Sequence, residues 1–167
     1  MSAGTPSLYP PLVIAHSRHP SNCRALPEAT HRATGAQPLC GDHLELAARI
    51  EGGRVLDIAF HGVGCAVARA SASLLTEAVL GRQTAHGRRL LRRFEQFLES
   101  REMEGDADLG ELSVFAVVRA HPARKPCALL AWEAWQRILE AADAAQPSPD
   151  SRASSRSDHH AREVSTP

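Results

Sequence analysis

The sequence predicts an α+β fold in which a small antiparallel sheet of about three strands, built around one hairpin, packs against helices. Apolar residues alternate with others along residues 43–50 and again along residues 55–60, on either side of Gly52 and Gly53. A period of two is typical of half-buried strands. Beyond residue 65 the apolar residues follow the helical period instead. A chain of 167 residues suits one domain with a core large enough to fold unaided.

Composition narrows the classes of function. The 19 Lys and Arg residues balance the 19 Asp and Glu residues, so no net field attracts nucleic acid or an anionic membrane surface, and neither is expected as a partner. The chain starts without a signal-peptide pattern and has no run of 18 apolar residues, which predicts a soluble cytoplasmic protein. In that reducing compartment the 4 cysteines indicate metal binding or thiol chemistry rather than disulfides.

The first quarter of the chain carries weak signals. Residues 1–8 are polar and contain Pro and Gly, and we expect a flexible lead there. Residues 9–17 include two prolines and then apolar residues at helical spacing, which predicts a short helix. Residues 18–39 contain three prolines, one glycine and no sustained period. That pattern predicts a long loop across the surface of the domain.

Two registers of the hairpin can be compared by the side chains that they pair. A two-residue loop pairs Ile50 with Val55 but places Ala48 opposite Asp57. The preferred register has a three-residue loop over 52–54 and pairs apolar residues throughout: Ile50 with Leu56, Ala48 with Ile58, and Leu46 with Phe60. Either register brings Cys40 opposite Cys65 or its neighbour, where Gly62 and Gly64 let the backbone bend.

The rest of the chain is predicted to be helical, with loops between the helices. The expected elements are a helix over 66–80 capped by Gly81, a helix over 85–99 with its arginines facing solvent, an acidic loop over 101–110, a short helix over 111–120 stopped by His121 and Pro122, and a helix over 127–144. Residues 145–167 are rich in Ser, Pro and charge, which predicts a disordered tail. The predicted domain therefore spans residues 9–144.

The cysteines fall where thiol chemistry is favoured. Cys65 and Cys127 each open a predicted helix, and the partial positive charge of a helix N-terminus favours thiolate over thiol. Asp42 follows Cys40 by two residues, so both side chains point the same way on an extended chain. Three sulfurs and one carboxylate suit a tetrahedral divalent metal, with zinc preferred to iron. A carboxylate is displaced more easily than a fourth thiolate, which favours an exchangeable site.

Several motifs between residues 9 and 142 together resemble the IscU/NifU-like iron-sulfur cluster assembly proteins, and among them the SufU branch. They are Tyr9, His16–Asn22, Cys40–Asp42, Gly62–Cys65, Ala70–Ser73, Pro122–Arg124 and Cys127. SufU proteins carry an insertion between the second and third cysteines, and here 61 residues separate Cys65 from Cys127. They also lack the histidine that the IscU branch places before the last cysteine, and here that residue is Pro126.

The resemblance implies an IscU/SufU-like fold, a ligand set and a role for each residue. Cys40, Asp42, Cys65 and Cys127 would bind zinc. Cys40 would accept persulfide sulfur from a SufS-type cysteine desulfurase and deliver it to the SUF cluster assembly machinery. Arg124 would lie beside the metal, where it could orient Asp42 or stabilise a sulfide leaving group in this sulfurtransferase-like step.

Other interpretations of the same residues stay open. The ligand set could instead assemble an iron-sulfur cluster or hold iron as a scaffold, or it could form a closed structural zinc site. Cys23 is more simply a spare surface thiol, and His159 and His160 lie in the predicted tail. The other tempting histidines each occupy a loop, strand or helix end that tolerates one without a metal: His16, His43, His61 and His121.

Overall fold

A computed structural model describes Ser7, residues 9–100 and residues 107–145 of the chain. Three strands form one antiparallel sheet in the order β1-β2-β3, and helices cover it, so the predicted α+β class is confirmed. The elements are α1 (Pro11–Arg18), β1 (His31–Gln37), β2 (Asp42–Glu51), β3 (Arg54–Val63), α2 (Ala66–Val79), α3 (Thr84–Glu99), a 3-10 segment (Ala107–Ala120), a 3-10 turn (Pro122–Arg124) and α4 (Lys125–Ala144). None of the described helices is long and apolar enough to cross a membrane.

The β2-β3 hairpin combines the two registers that the sequence allowed. Pairing of Ala48 with Ile58, and of Leu46 with Phe60, is confirmed. The pairing of Ile50 with Leu56 is wrong, because Ile50 lies opposite Val55. The turn has two residues, both glycines with positive φ (57° and 74°), which is the type I′ geometry that hairpins favour. A bulge at Leu56 reconciles this tight turn with the apolar pairs further along.

Strand β1 corrects the prediction of a loop over residues 18–39. Residues 31–37 pair along β2 from His31 opposite Ala48 to Gln37 opposite Asp42. The sequence hides this edge strand because Gly35 is its only fully buried residue, so no hydrophobic alternation marks it. Residues 19–30 remain a loop, and Leu26 from this loop covers the outer face of the sheet.

The helices begin and end close to where the sequence predicted them. Helix α2 ends at Val79, and Gly81 follows it with a φ of 73°, as the predicted cap requires. The predicted short helix over 111–120 lies within the 3-10 segment, which is interrupted at Gly110 (φ 54°) and ends before His121. Residues 101–106 of the predicted acidic loop, most of the predicted lead and residues 146–167 of the predicted tail lie outside the described residues, and the division into lead, domain and tail stays a prediction.

Helix α4 is the centre of the core. Trp132 is fully buried, stacks on Phe94 of α3 with ring centroids 4.5 Å apart, and donates its indole N–H to Ser71 Oγ at 3.0 Å. The Ser71 hydroxyl in turn donates to the Ala128 carbonyl at 2.6 Å. A buried polar group is expensive unless it is hydrogen-bonded, and here both groups are satisfied. These contacts hold α2, α3 and the first turns of α4 in one arrangement.

We expect Gly35→Ala to destabilise the fold. A Cβ at residue 35 would lie 2.5 Å from the Leu130 carbonyl oxygen and 3.1 Å from Leu130 Cδ1, so β1 and α4 would have to move apart. Overpacking of this kind costs about 1–3 kcal/mol. Urea unfolding followed by circular dichroism measures the change. Ala36→Ser, at an exposed position of the same strand, is the control and should stay within about 0.5 kcal/mol; equal stability of the two variants would contradict the close packing of β1 on α4.

Candidate metal centre

The turn between β1 and β2 carries Cys40. The backbone N–H of Cys40 donates to the Gln37 carbonyl at 3.2 Å, and Gly41 follows with a φ of 69°. This conformation strongly favours glycine, and it places the exposed Cys40 two residues before the buried first residue of β2, Asp42. The Cys-Gly-Asp motif therefore presents one exposed thiol beside one buried carboxylate.

Asp42 connects the sheet to α2. Its side chain is 5% exposed, and Oδ1 accepts a hydrogen bond of 3.0 Å from the backbone N–H of Cys65, the residue that caps α2. The other carboxylate oxygen, Oδ2, is buried and has no hydrogen-bond partner within the described part of the chain. A buried carboxylate oxygen without a partner is expensive, and a bound cation would satisfy it.

Cys127 lies in the first turn of α4 and is fully buried. Its Sγ is 3.5 Å from Cys40 Sγ. The candidate ligand atoms of Cys40, Asp42 and Cys127 all lie within 4.8 Å of one another. Three of the four predicted ligands are thus close together, at the end of the sheet where α2 and α4 begin.

Cys65 is the fourth predicted ligand and lies slightly apart. It is not within 4.8 Å of all three other ligand atoms, although it lies near enough to Cys127 to help raise the pKa of that thiol. The backbone N–H of Cys65 is held by Asp42 Oδ1. The Cys65 side chain would have to move to complete a four-ligand set.

Burial changes the expected acidity of Cys127. The sequence predicted that the helix N-terminus would lower the pKa of this thiol. For the protein without a metal ion that prediction is wrong. Desolvation, followed by the hydrogen bond with Cys40 and the neighbouring Cys65, raises the pKa of Cys127 to about 12. The apolar surroundings and the crowded sulfurs outweigh the helix end, because a second or third negative charge in a buried site is strongly disfavoured.

Arg124 lies beside this cluster. Interaction with the neighbouring Cys127 thiol raises the pKa of the Arg124 guanidinium above its ordinary value. A permanently charged group at this position can hold a thiolate or an anionic sulfur species near the cysteines. The structure therefore brings Arg124 to the site by its contact with Cys127.

The donor set fits a divalent metal such as zinc. Thiolates and one carboxylate are ordinary zinc ligands, and the buried Asp42 Oδ2 without a partner supplies a reason within the fold for a cation to bind there. Cys40, Asp42, Cys65 and Cys127 would hold the ion.

Other sequence candidates lie elsewhere. Cys23 is exposed and bridges β3 at Phe60, and the described part of the chain shows no group of metal-ligating atoms around it. The described residues likewise show no group of metal-ligating atoms that includes His43, His61 or His121. His16 does lie close to two glutamates, Glu77 and Glu111; because these residues come from three separate elements, no sequence spacing indicated the cluster.

The fold and the site define a class of small α+β domains with cysteines and a carboxylate gathered at one end of a three-stranded sheet. A family model described as NifU-like N terminal domain matches residues 8–142. The chain therefore belongs to the family of NifU-like N-terminal domains, as the motifs indicated.

Individual relatives agree with this assignment. The zinc-dependent sulfurtransferase SufU of Bacillus subtilis (strain 168) is 29% identical over 136 residues, which cover 81% of this chain and 92% of the relative. The iron-sulfur cluster assembly scaffold protein IscU of Streptococcus pyogenes serotype M1 is 31% identical over 139 residues, which cover 83% and 87%. A crystal structure described as an iron-sulfur cluster assembly scaffold protein for the SUF system, from Fervidobacterium islandicum AW-1, superimposes with a TM-score of 0.74 at 24% identity and covers 79% of this chain and 96% of that chain. The last likeness shows the shared fold.

We expect zinc affinity to rise steeply with pH. Metal binding needs the thiolate, so a thiol whose pKa is raised to about 12 must lose its proton on binding throughout the neutral range, and affinity falls as the pH is lowered. Each displaced proton contributes about a tenfold change per pH unit. Competition with a zinc-binding indicator between pH 6 and pH 8 measures the slope. Cys127→Ser should give a slope shallower by about one proton, and an unchanged slope would exclude Cys127 as a ligand.

Proposed function

We propose that the protein is a SufU-like, zinc-dependent sulfur acceptor that takes persulfide sulfur from a SufS-type cysteine desulfurase for the SUF cluster assembly machinery. The observation that carries the proposal is the unequal exposure of the clustered thiols. Cys40 is exposed, whereas Cys65 is half-buried and Cys127 fully buried. A partner's persulfide can approach only the thiol that faces solvent, so Cys40 is the acceptor.

The transfer step is a thiol exchange. The Cys40 thiolate attacks the outer sulfur of the desulfurase persulfide; a bond forms between Cys40 Sγ and that sulfur, and the sulfur-sulfur bond of the persulfide breaks. The electron pair of the broken bond leaves with the desulfurase cysteine as its thiolate, so no outside oxidant or reductant is needed. Zinc, when bound, stabilises thiolates at neutral pH.

The other site residues prepare Cys40 and hold the product. Asp42 and Cys127 are buried and have ligand atoms within 4.8 Å of the Cys40 thiol, which is the exposed member of the cluster. Arg124, through its contact with Cys127, supplies a fixed positive charge to an incoming or departing sulfur anion. Free thiols of this kind need a reducing compartment, and we place the protein in the cytoplasm.

The residue before the last cysteine supports the SufU-type assignment. By the family resemblance, scaffolds of the IscU branch have a histidine there, whereas this chain has Pro126 in the first turn of α4. Proline offers no ligand atom, so an iron-sulfur cluster bound here would lack the nitrogen donor that this histidine could supply. The SufU relative carries the words zinc-dependent sulfurtransferase in its name.

A scaffold that assembles an iron-sulfur cluster on the same ligands is the second candidate. The 31% identity to a relative named as an IscU scaffold supports it. Anaerobic incubation with iron and sulfide separates the two: a stable cluster that transfers intact to an apo-protein favours the scaffold, whereas no cluster and a retained zinc ion favour the sulfur acceptor. A structural zinc module would show neither persulfide nor cluster.

We expect Cys40→Ala to reduce desulfurase-driven sulfur transfer to the background level. The protein is incubated with a SufS-type desulfurase and cysteine, and mass spectrometry then locates the added sulfur while sulfide release reports stimulation. The matched control is Cys23→Ser, which removes another exposed thiol outside the cluster and should leave both readouts unchanged. Persulfide on another residue with Cys40→Ala still active would overturn the acceptor role of Cys40.

A further inference from the structure

A second cluster of metal-ligating side chains lies toward the far end of α2. His16 of α1, Glu77 of α2 and Glu111 of the 3-10 segment have candidate ligand atoms within 4.8 Å of one another. Glu77 follows Cys65 by twelve residues, which at 1.5 Å per helical residue is about 18 Å. The two clusters are therefore separate, and the reaction proposed above uses none of these three residues.

The His16 ring is held by a hydrogen bond to a buried hydroxyl group. Its Nδ1 lies 2.8 Å from the hydroxyl of Ser73, which is fully buried and also accepts the backbone N–H of Ser21 at 2.8 Å. Metal-binding histidines typically donate one ring N–H to a fixed partner, which orients the ring and leaves the other nitrogen for the ion. With Nδ1 beside Ser73, Nε2 is the ring nitrogen that would bind an ion.

Among the described residues, neither carboxylate has a positively charged side chain as a partner. Glu77 accepts a hydrogen bond from the Ser21 hydroxyl, and the Glu111 side chain forms no hydrogen bond or ion pair in the described part of the chain. No Lys or Arg within the described residues pairs with either group. Two like charges brought close together repel, and a divalent cation between them and His16 would remove that repulsion.

An open cavity lies beside the two carboxylates. This cavity of about 290 Å³ is bordered by Glu77, Gly110 and Glu111 and has apolar walls from Leu74, Leu109 and Leu112. Glu111 follows the break at Gly110, which turns the chain toward α2. Both glutamates are exposed at the surface, so a hydrated ion can enter and keep water molecules at its remaining coordination positions.

We propose that His16, Glu77 and Glu111 form a second binding site, for a divalent cation that accepts one imidazole nitrogen and two carboxylate oxygens. Such nitrogen and oxygen donors suit Mn²⁺ and similar ions, in contrast to the sulfur-rich cluster at Cys40. The ion would join α1, α2 and the 3-10 segment, and would stabilise their packing by binding only the folded chain. The site does not depend on what the cysteine cluster holds.

Titration of the full chain with Mn²⁺ tests the site. The protein first receives one equivalent of zinc, which fills the thiolate ligands, and free Mn²⁺ is then followed by electron paramagnetic resonance. We expect one bound Mn²⁺ per chain and a higher thermal midpoint in its presence. Glu111→Gln should weaken binding by at least about tenfold, because loss of even an outer-shell partner costs about 10- to 100-fold.

Two controls make the result specific. Glu133→Gln removes the same charge from an exposed position on α4 and should bind Mn²⁺ as the unchanged protein does. Cys40→Ala should also retain Mn²⁺ binding, which separates this site from the sulfur acceptor. Absence of bound Mn²⁺ in the zinc-loaded protein, or equal affinity in Glu111→Gln and Glu133→Gln, would overturn the proposal.

Discussion

The hydrogen bond from the Cys65 backbone N–H to Asp42 Oδ1 fixes the start of α2 against the first residue of β2. Asp42 is buried at that point, and its position beside Cys40 follows from the tight β1-β2 turn. The bond satisfies one carboxylate oxygen and leaves the other buried without a hydrogen-bond partner in the described part of the chain. The geometry of the cysteine cluster therefore depends on a contact between a strand end and a helix start, and the remaining helices serve to hold those two elements in place.

Helix α4 contributes the last thiol through the core. Trp132, buried and hydrogen-bonded to Ser71 of α2, sets how α4 lies against α2, and Cys127 occupies the first turn of the same helix. Burial of that turn raises the pKa of Cys127, whereas Cys40 on its turn reaches solvent. One fold thus produces a protected thiol and an accessible one, 3.5 Å apart, which is the difference on which a sulfur acceptor depends.

The sequence predicted the elements that depend on a local pattern of apolar residues. Apolar alternation located the hairpin and the pairing of Leu46 with Phe60, and helical periodicity located α2, α3 and α4. The sequence did not predict strand β1, because this strand is held by backbone pairing and by the close packing of Gly35 on α4. Neither feature produces a hydrophobic pattern in the sequence. The raised pKa of Cys127 was not predicted, because it results from burial of the thiol by other elements of the fold. Spacing and family motifs pointed to Cys40, Asp42 and Cys127 as neighbours, whereas the small offset of Cys65 and the approach of Glu111 to His16 depend on tertiary packing alone.

The ligand set that we propose for the metal is three sulfurs and one carboxylate oxygen. X-ray absorption at the zinc edge of the zinc-loaded protein measures this set directly. We expect three sulfur neighbours at about 2.3 Å and one oxygen neighbour at about 2.0–2.2 Å, with the oxygen contribution altered in Asp42→Ala. A shell of four sulfurs, or a shell of nitrogen and oxygen without sulfur, would contradict it.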